Sequence, residues 1–99
     1  MLERATDLYK WDFDIRAISF WMKVASVEPA RPVRVAITQE ALQAIDPNQV
    51  PDHFGAIATF EANRPRIDQA ASAKYDAGGT DPAGHEGYAL VLLRATDLT

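Results

Sequence analysis

Two neighbouring segments of this chain carry an apolar residue at every second position, and this alternation limits the folds open to the chain most strongly. Residues two apart in a β-strand point to the same side, so each segment predicts a strand with one apolar face. Together they predict a sheet that is buried on that side. The alternating residues are Ile18, Phe20 and Met22 in the first segment, and Val33, Val35 and Ile37 in the second.

The residues between these two strands predict a hairpin loop. They run from Ala25 to Pro32 and include Pro29, which favours a turn over a strand. Two consecutive strands joined by a short connection most simply pair antiparallel, so we expect an antiparallel hairpin.

A short helix is predicted directly after the second strand. Thr38 can cap it, because its hydroxyl can accept a hydrogen bond from the first-turn amides of a helix from Gln39 to Ile45. A longer helix is predicted from Pro51 to Tyr75, with Pro51 in its first turn. Its apolar stripe is expected to comprise Phe54, Ile57, Phe60, Ile67, Ala70, Ala71 and Tyr75.

Pro65 lies inside this long helix and should disturb it. Proline removes one helical hydrogen bond and its ring presses on a carbonyl of the preceding turn. We therefore expect a bend or a break near Asn63 and Arg64. The apolar stripe continues in phase beyond this point, so both parts should cover the same sheet.

The last strand is predicted from Gly87 to Arg94, after a turn-rich loop. Ala89, Val91 and Leu93 lie on one side of it, and Tyr88, Leu90 and Leu92 lie on the other. Because both sides are apolar, this strand is expected to be covered twice or to leave an apolar face for a partner.

These elements predict an α+β domain of two layers. We expect an antiparallel sheet of about three strands, in the chain order strand, strand, helix, helix, strand, with a kinked long helix packed on one face. Residues 13–99 should form this single domain. Residues 1–12 show no sustained period and are expected to be an N-terminal arm or tail, docked loosely by Leu8 and Trp11.

Composition and charge exclude several classes of function. The chain has no cysteine, which excludes disulfide frameworks, thiol catalysis and thiolate metal sites. It has 10 basic against 14 acidic residues, so we expect neither nucleic acid nor a membrane surface as partner. The start of the chain shows no apolar leader segment, and the cytoplasm is the expected compartment.

The polar residues show no catalytic or metal-binding spacing. His53 and His85 lack a His-x-x-x-His or His-Glu-x-x-His pattern, and no serine stands in a nucleophile-elbow context. We therefore predict no catalytic residue, no cofactor-binding residue, no metal ligand and no cofactor.

Three polar groupings nevertheless stay open as minor alternatives. Asp12 and Asp14 could pair with Asp76 or Asp81 for acid–base work, although a solvated strand start is the simpler interpretation. The glycine-rich turn at residues 78–80 could hold an anion. An anion patch could also form where the hairpin meets the helix bend, from Arg31, Arg34, Arg64 and Arg66.

Several stretches of the sequence resemble a known family. They are Ile18-Ser19-Phe20, the residues from Val33 to Leu42, those from Phe60 to Ile67, Ala70-Ala71 and Lys74-Tyr75. With these stretches the chain is similar to the domain of unknown function family 1488, over most of residues 15–98. The resemblance implies the fold, and it implies no activity, cofactor or catalytic residue.

We expect a non-enzymatic interaction module that associates with itself, most simply as a dimer, or binds another protein. Trp21 alternates out of phase with the apolar core face, and the final strand is apolar on both sides. The expected interface is therefore the uncovered sheet face, with Trp21, Ala89, Val91 and Leu93. The alternative is a small-molecule or anion-binding domain, or a minor enzyme, with its site near the junction of hairpin and helix kink.

Overall fold

The computed structural model describes residues 1–98 and shows one sheet with helices on one side. The elements follow in chain order and end in a short 3₁₀ helix, Ala95–Leu98. They are β1 (Leu2–Asp12), β2 (Ala17–Val24), β3 (Pro32–Thr38), α1 (Gln39–Ile45), α2 (His53–Ala62), α3 (Arg64–Asp76) and β4 (Ala89–Leu93).

The sheet has four strands and is mixed, in the spatial order β1-β2-β3-β4. The predicted hairpin is confirmed, since β2 and β3 pair antiparallel with Phe20 opposite Val35. The prediction of about three antiparallel strands is wrong in two respects. β4 pairs with β3 in parallel, with Val35 opposite Val91, because three helices return the chain to the end at which β3 begins. In addition, the first residues of the chain form a fourth strand.

Residues 2–12, expected to be an arm or tail, form the edge strand β1, antiparallel to β2. The strand escapes detection in the sequence because a bulge breaks its alternation. Arg4 lies opposite Met22 and Tyr9 lies opposite Phe20, so residues 5–8 all stand opposite Trp21 alone. Arg4 and Tyr9 therefore face the same side of the sheet. In a regular strand, two residues five positions apart would face opposite sides.

The helical segment follows the sequence prediction closely at its start. α1 has the predicted bounds, and the Thr38 hydroxyl accepts from the Ala41 amide at 3.1 Å. The α2 helix begins later than predicted: Asp52 caps it by accepting from Gly55, so Pro51 lies just before the cap.

The predicted break near Pro65 is confirmed at Asn63, which separates α2 from α3. Two helices therefore replace the single kinked helix of the prediction. Pro65 is the second residue of α3, in the first turn, where a missing amide hydrogen costs no helical bond.

The core lies between the helices and one face of the sheet. Ile18, Phe20 and Met22 of β2 are fully buried there, as predicted. The parallel register of β4 aligns Val91 and Leu93 with the buried face of β3. The opposite sheet face carries no helix.

Arg64 joins the helix layer to the edge strand. Its side chain is buried, with the guanidinium carbon 4.5 Å from the ring centroid of Phe20 and 5.0 Å from that of Phe60. Its two terminal nitrogens donate to the carbonyl oxygens of Thr6 and Asp7 in the β1 bulge, and Nε donates to Asp68. The Arg64 guanidinium therefore fixes the bulge, because its terminal nitrogens donate to the bulge carbonyls.

The outer edge of β4 is closed by side chain and loop contacts. The Lys74 ammonium donates to the Leu92 carbonyl at 2.7 Å and to the Asp97 carboxylate at 2.9 Å. The Asp81 amide donates to the Leu90 carbonyl at 2.7 Å. An edge whose carbonyls are already bonded offers fewer acceptors to another strand, so these contacts disfavour pairing of β4 with a second chain.

Replacing Arg64 with Ala should lower the free energy of unfolding by about 2–4 kcal/mol, because two bulge carbonyls and Asp68 lose their donor. Arg64→Lys keeps the charge but lacks the forked geometry, and it should recover only part of the loss. Urea unfolding measures both changes. Arg31→Ala, at an exposed position of the hairpin loop, is the control. An Arg64→Ala protein as stable as the control would contradict this role.

Asp97 should make stability depend on pH. Burial tends to raise its carboxyl pKa, but the Arg94 amide and Lys74 outweigh it and hold the pKa below its ordinary value of 3.8. The stabilisation is therefore complete at neutral pH and lost as pH falls through the lowered value. Asp97→Asn should destabilise the protein at pH 7 and converge with wild type once the pH lies below the lowered pKa of Asp97. Thermal unfolding across pH tests this, with Glu28→Gln in the exposed hairpin loop as the control.

Candidate functional site

An exposed apolar surface lies at the end of the sheet where β1 turns into β2 and α2 begins. We call it the end patch and define it by Phe13, Ile15, Val50, His53 and Phe54. Four of these are large apolar side chains with most of their area in solvent: Phe13 is 73% exposed, Ile15 54%, Val50 60% and Phe54 70%. Contiguous apolar area of this kind on a small protein usually marks an interaction surface.

Ring contacts hold the end patch together. The His53 ring lies 5.4 Å from Phe13 and 4.1 Å from Phe54, measured between centroids, and Trp11 packs 6.0 Å from His53. These aromatic pairs join the β1–β2 turn to the first turn of α2, so the patch has a defined shape.

Glycine at position 55 lets Val50 join the patch. A Cβ at Gly55 would collide with the Val50 carbonyl oxygen, so only glycine permits this close approach. The Val50 carbonyl also accepts from the Asp52 amide at 2.8 Å. The loop before α2 is thereby fixed with Val50 beside the helix start.

The β1–β2 turn adds charges of both signs to the rim of the end patch. Asp14 and Arg16 flank Ile15, and all three are exposed. Arg16 has a φ of 50°, a left-handed conformation that shapes the turn. The rim therefore carries a negative and a positive group on either side of an apolar residue.

A second surface, the face groove, lies on the helix-free side of the sheet. It is a hollow of about 220 Å³ lined by Thr6, Leu8, Tyr9, Lys10, Ser19, Trp21 and Arg34. The Arg34 guanidinium carbon lies 4.9 Å from the Trp21 ring centroid. Tyr88 and His85 pack against Trp21 at 5.1 and 6.1 Å, so the loop before β4 covers part of this face.

Arg34 is a buried charge without a close counterion. It is 8% exposed, its Nε has no hydrogen-bond partner, and the ion pairs of residues 1–98 do not include it. Burial lowers its pKa, while Glu86 and Asp12 act at longer range in the opposite direction. A buried guanidinium normally donates hydrogen bonds to nearby acceptors, and the Nε of Arg34 has no such acceptor.

The interface residues predicted from the sequence divide between the two sheet faces. Trp21 lies on the helix-free face, as expected, and Ala89 is exposed at the start of β4. The expectation that Val91 and Leu93 lie on that open face is wrong, because the parallel register with β3 turns both into the core. Leu90 and Leu92 take their place there, partly buried.

Sequence reasoning missed Phe13 and Phe54. Phe54 was expected in the buried stripe of the helix, yet at about 100° per residue it lies about 120° around the helix from Phe60. Phe13 stands between Asp12 and Asp14, and an aromatic residue between two acids at a turn is a signal of exposure. Both positions could therefore have been recognised.

Three of the four acids in the paired-carboxylate alternative have other partners. Asp12 accepts from the Asp14 amide, Asp76 pairs with the N-terminal amine at 2.6 Å, and Asp81 accepts from the Ala83 amide. The turn at residues 78–80 follows the end of α3. Its Gly79 amide donates to the Lys74 carbonyl oxygen at 2.8 Å.

The four arginines of the predicted anion patch do not gather at one place. Arg64 lies between helices and sheet, Arg66 donates to the Leu98 carbonyl at 2.9 Å, and Arg31 is exposed in the hairpin loop. Arg34 points to the opposite sheet face, because it alternates with the buried Val33 and Val35. The predicted anion site at the junction of the hairpin and the helix break is therefore not formed by these four arginines.

Within residues 1–98, no group of three or more histidines and carboxylates is placed to hold a metal ion. No helix in that part of the chain is long and apolar enough to cross a membrane.

These features define a small α+β protein with two separate surface sites, an apolar end patch and a charged groove. The model of the family described as "Protein of unknown function (DUF1488)" matches residues 6–86, so the chain belongs to this family, and the resemblance found in the sequence is confirmed.

A solved structure shows a similar fold. It is that of a protein of unknown function from the DUF1488 family of Shewanella loihica PV-4, with 20% sequence identity and a TM-score of 0.69. The match covers 89% of this chain and 87% of that chain. No curated protein matches the chain. The comparisons thus establish a family whose function is unknown.

Proposed function

We propose that this protein is a non-enzymatic module that associates with itself, two copies packing through their end patches. The observation that carries the proposal is the exposure of Phe13 and Phe54, whose rings both pack against His53. We place the module in the cytoplasm, with which a chain free of disulfides is compatible.

The exposed apolar area of the end patch is large enough to form the centre of an interface with a second copy. With about 150–250 Å² for each aromatic side chain, the exposed parts of the four apolar residues amount to roughly 400–500 Å². A standard interface buries about 800 Å² per partner, so the patch would supply the apolar centre and the polar rim the remainder.

A second copy is the partner that the rim charges favour. In a two-fold interface each contact occurs twice, so residue i meets residue j and j meets i. Asp14 and Arg16 are the sequence neighbours of Ile15 in the β1–β2 turn, and a two-fold axis near Ile15 would place each beside its opposite charge on the other copy. The surface is thereby complementary to itself.

Sedimentation velocity between about 1 and 100 µM should show a monomer–dimer equilibrium. The double variant Phe13→Ser/Phe54→Ser removes two apolar anchors per copy and should weaken the dimer by about a hundredfold or more. Leu8→Ser is the matched control, because Leu8 is 78% exposed and lies outside the patch. A wild-type protein that is monomeric at 100 µM would overturn the proposal.

Charge reversal tests the two-fold geometry. Asp14→Arg or Arg16→Asp alone places like charges together and should weaken the dimer a few-fold, as exposed pairs contribute about 0.2–1 kcal/mol each. Aspartate tolerates the positive φ of position 16. The variant with both changes should regain wild-type affinity, and its failure to do so would exclude this orientation.

A further inference from the structure

Arg34 is a buried cation for which the described part of the chain supplies no acceptor at Nε and no ion-pair partner. Arg34 is 8% exposed as a residue, its buried Nε has no hydrogen-bond partner, and no ion pair within residues 1–98 includes it. A buried charge without a counterion destabilises the folded state. By contrast, Arg64 has three oxygen partners in its own buried position.

The face groove gives access to this charge. It lies on the helix-free sheet face, and Arg34 lines it together with Trp21 and Leu8, which form apolar walls. Lys10 adds a second cation at the groove, on the exposed strand β1. The groove therefore joins cationic donors to an apolar wall, as a site for an organic anion does.

We infer that the face groove binds a small organic monocarboxylate, with Arg34 as the partner of the carboxylate and Trp21 and Leu8 in contact with the organic part. A planar guanidinium suits the two oxygens of a carboxylate, to which it can donate two parallel hydrogen bonds. This site is independent of the end patch and of the dimer proposed above.

The surroundings limit the charge of the ligand. Glu86 and Asp12 act electrostatically on Arg34 from opposite ends of the sheet face, and neither forms an ion pair with it. With Lys10 and Arg34 they make the local balance close to neutral. Binding of a monoanion leaves these groups and the ligand with one net negative charge, whereas a dianion such as a phosphate monoester leaves two, which is less favourable.

The size of the groove limits the ligand further. At about 220 Å³, the hollow is smaller than the pockets of about 300–1,000 Å³ that enclose drug-sized ligands. It has room for about seven waters at about 30 Å³ each. A single ring bearing one carboxylate therefore matches the hollow in size.

Benzoate is the probe for the test, with benzamide as its neutral isostere and phenylphosphonate as the dianion. Titration followed by NMR should show saturable shifts of the Trp21 indole and Arg34 Nε signals, with a benzoate dissociation constant of about 1 mM or tighter. Benzamide and phenylphosphonate should each bind at least about tenfold more weakly. Equal binding of benzamide, tighter binding of phenylphosphonate, or no saturable shift with benzoate would overturn the inference.

Arg34→Met separates binding from folding. It removes the unpaired buried charge, so the melting temperature should stay or rise while benzoate affinity falls at least about tenfold. Arg31→Met, an exposed arginine in the neighbouring loop, is the control and should bind benzoate like wild type. Arg34→Lys provides a second variant with the charge retained but the fork lost, and its affinity should fall severalfold. Wild-type affinity in Arg34→Met or in Arg34→Lys would exclude the proposed contact.

Discussion

Arg64 carries a full positive charge into the layer between helices and sheet, and the position of β1 depends on how that charge is satisfied. Aromatic rings of β2 and α2 surround it, so its hydrogen bonds must come from polar groups at the edge of the core. Asp68 supplies one acceptor, and the β1 bulge supplies two carbonyls. The bulge lets the chain bring these carbonyls inward while the residues on either side keep pairing with β2. The break at Asn63 contributes to the same geometry, because it places Arg64 at the very start of α3.

Once β1 is fixed, the strand alternation decides which residues remain on the surface. Every second residue of β2 and β3 turns to the helices, and the remainder, with Trp21 and Arg34 at the centre, turn to the helix-free face. The β1–β2 turn then projects Phe13 and Ile15 beyond the sheet end, where they meet the start of α2. The two surfaces differ in chemistry: one is apolar with mixed rim charges, and the other holds a buried cation. We therefore propose different partners for them, a second copy and a small anion.

Much of the fold follows from local patterns in the sequence. The alternation of β2 and β3, the Thr38 cap and the break before Pro65 each rest on a rule that acts within a few residues. What escaped prediction depends on distant contacts. β1 lacks a continuous period because its bulge is set by Arg64, about sixty residues away, and the direction of β4 is set by how three helices return the chain. The placement of Val91 and Leu93 follows from that direction, so an error in pairing became an error in the predicted interface. The unpaired state of Arg34 is likewise invisible until the strands are assembled.

The proposed self-association uses the end patch and leaves the face groove free, and NMR spectra recorded over a dilution series can show whether the two surfaces act separately. Between about 1 mM and 10 µM, without any ligand, signals of Phe13, Ile15, Val50 and Phe54 should shift together along one binding curve, while the Trp21 indole signal stays in place. Concentration-dependent shifts at Trp21, Leu90 and Leu92 with a silent end patch would contradict the account, since the helix-free sheet face would then be where two copies meet.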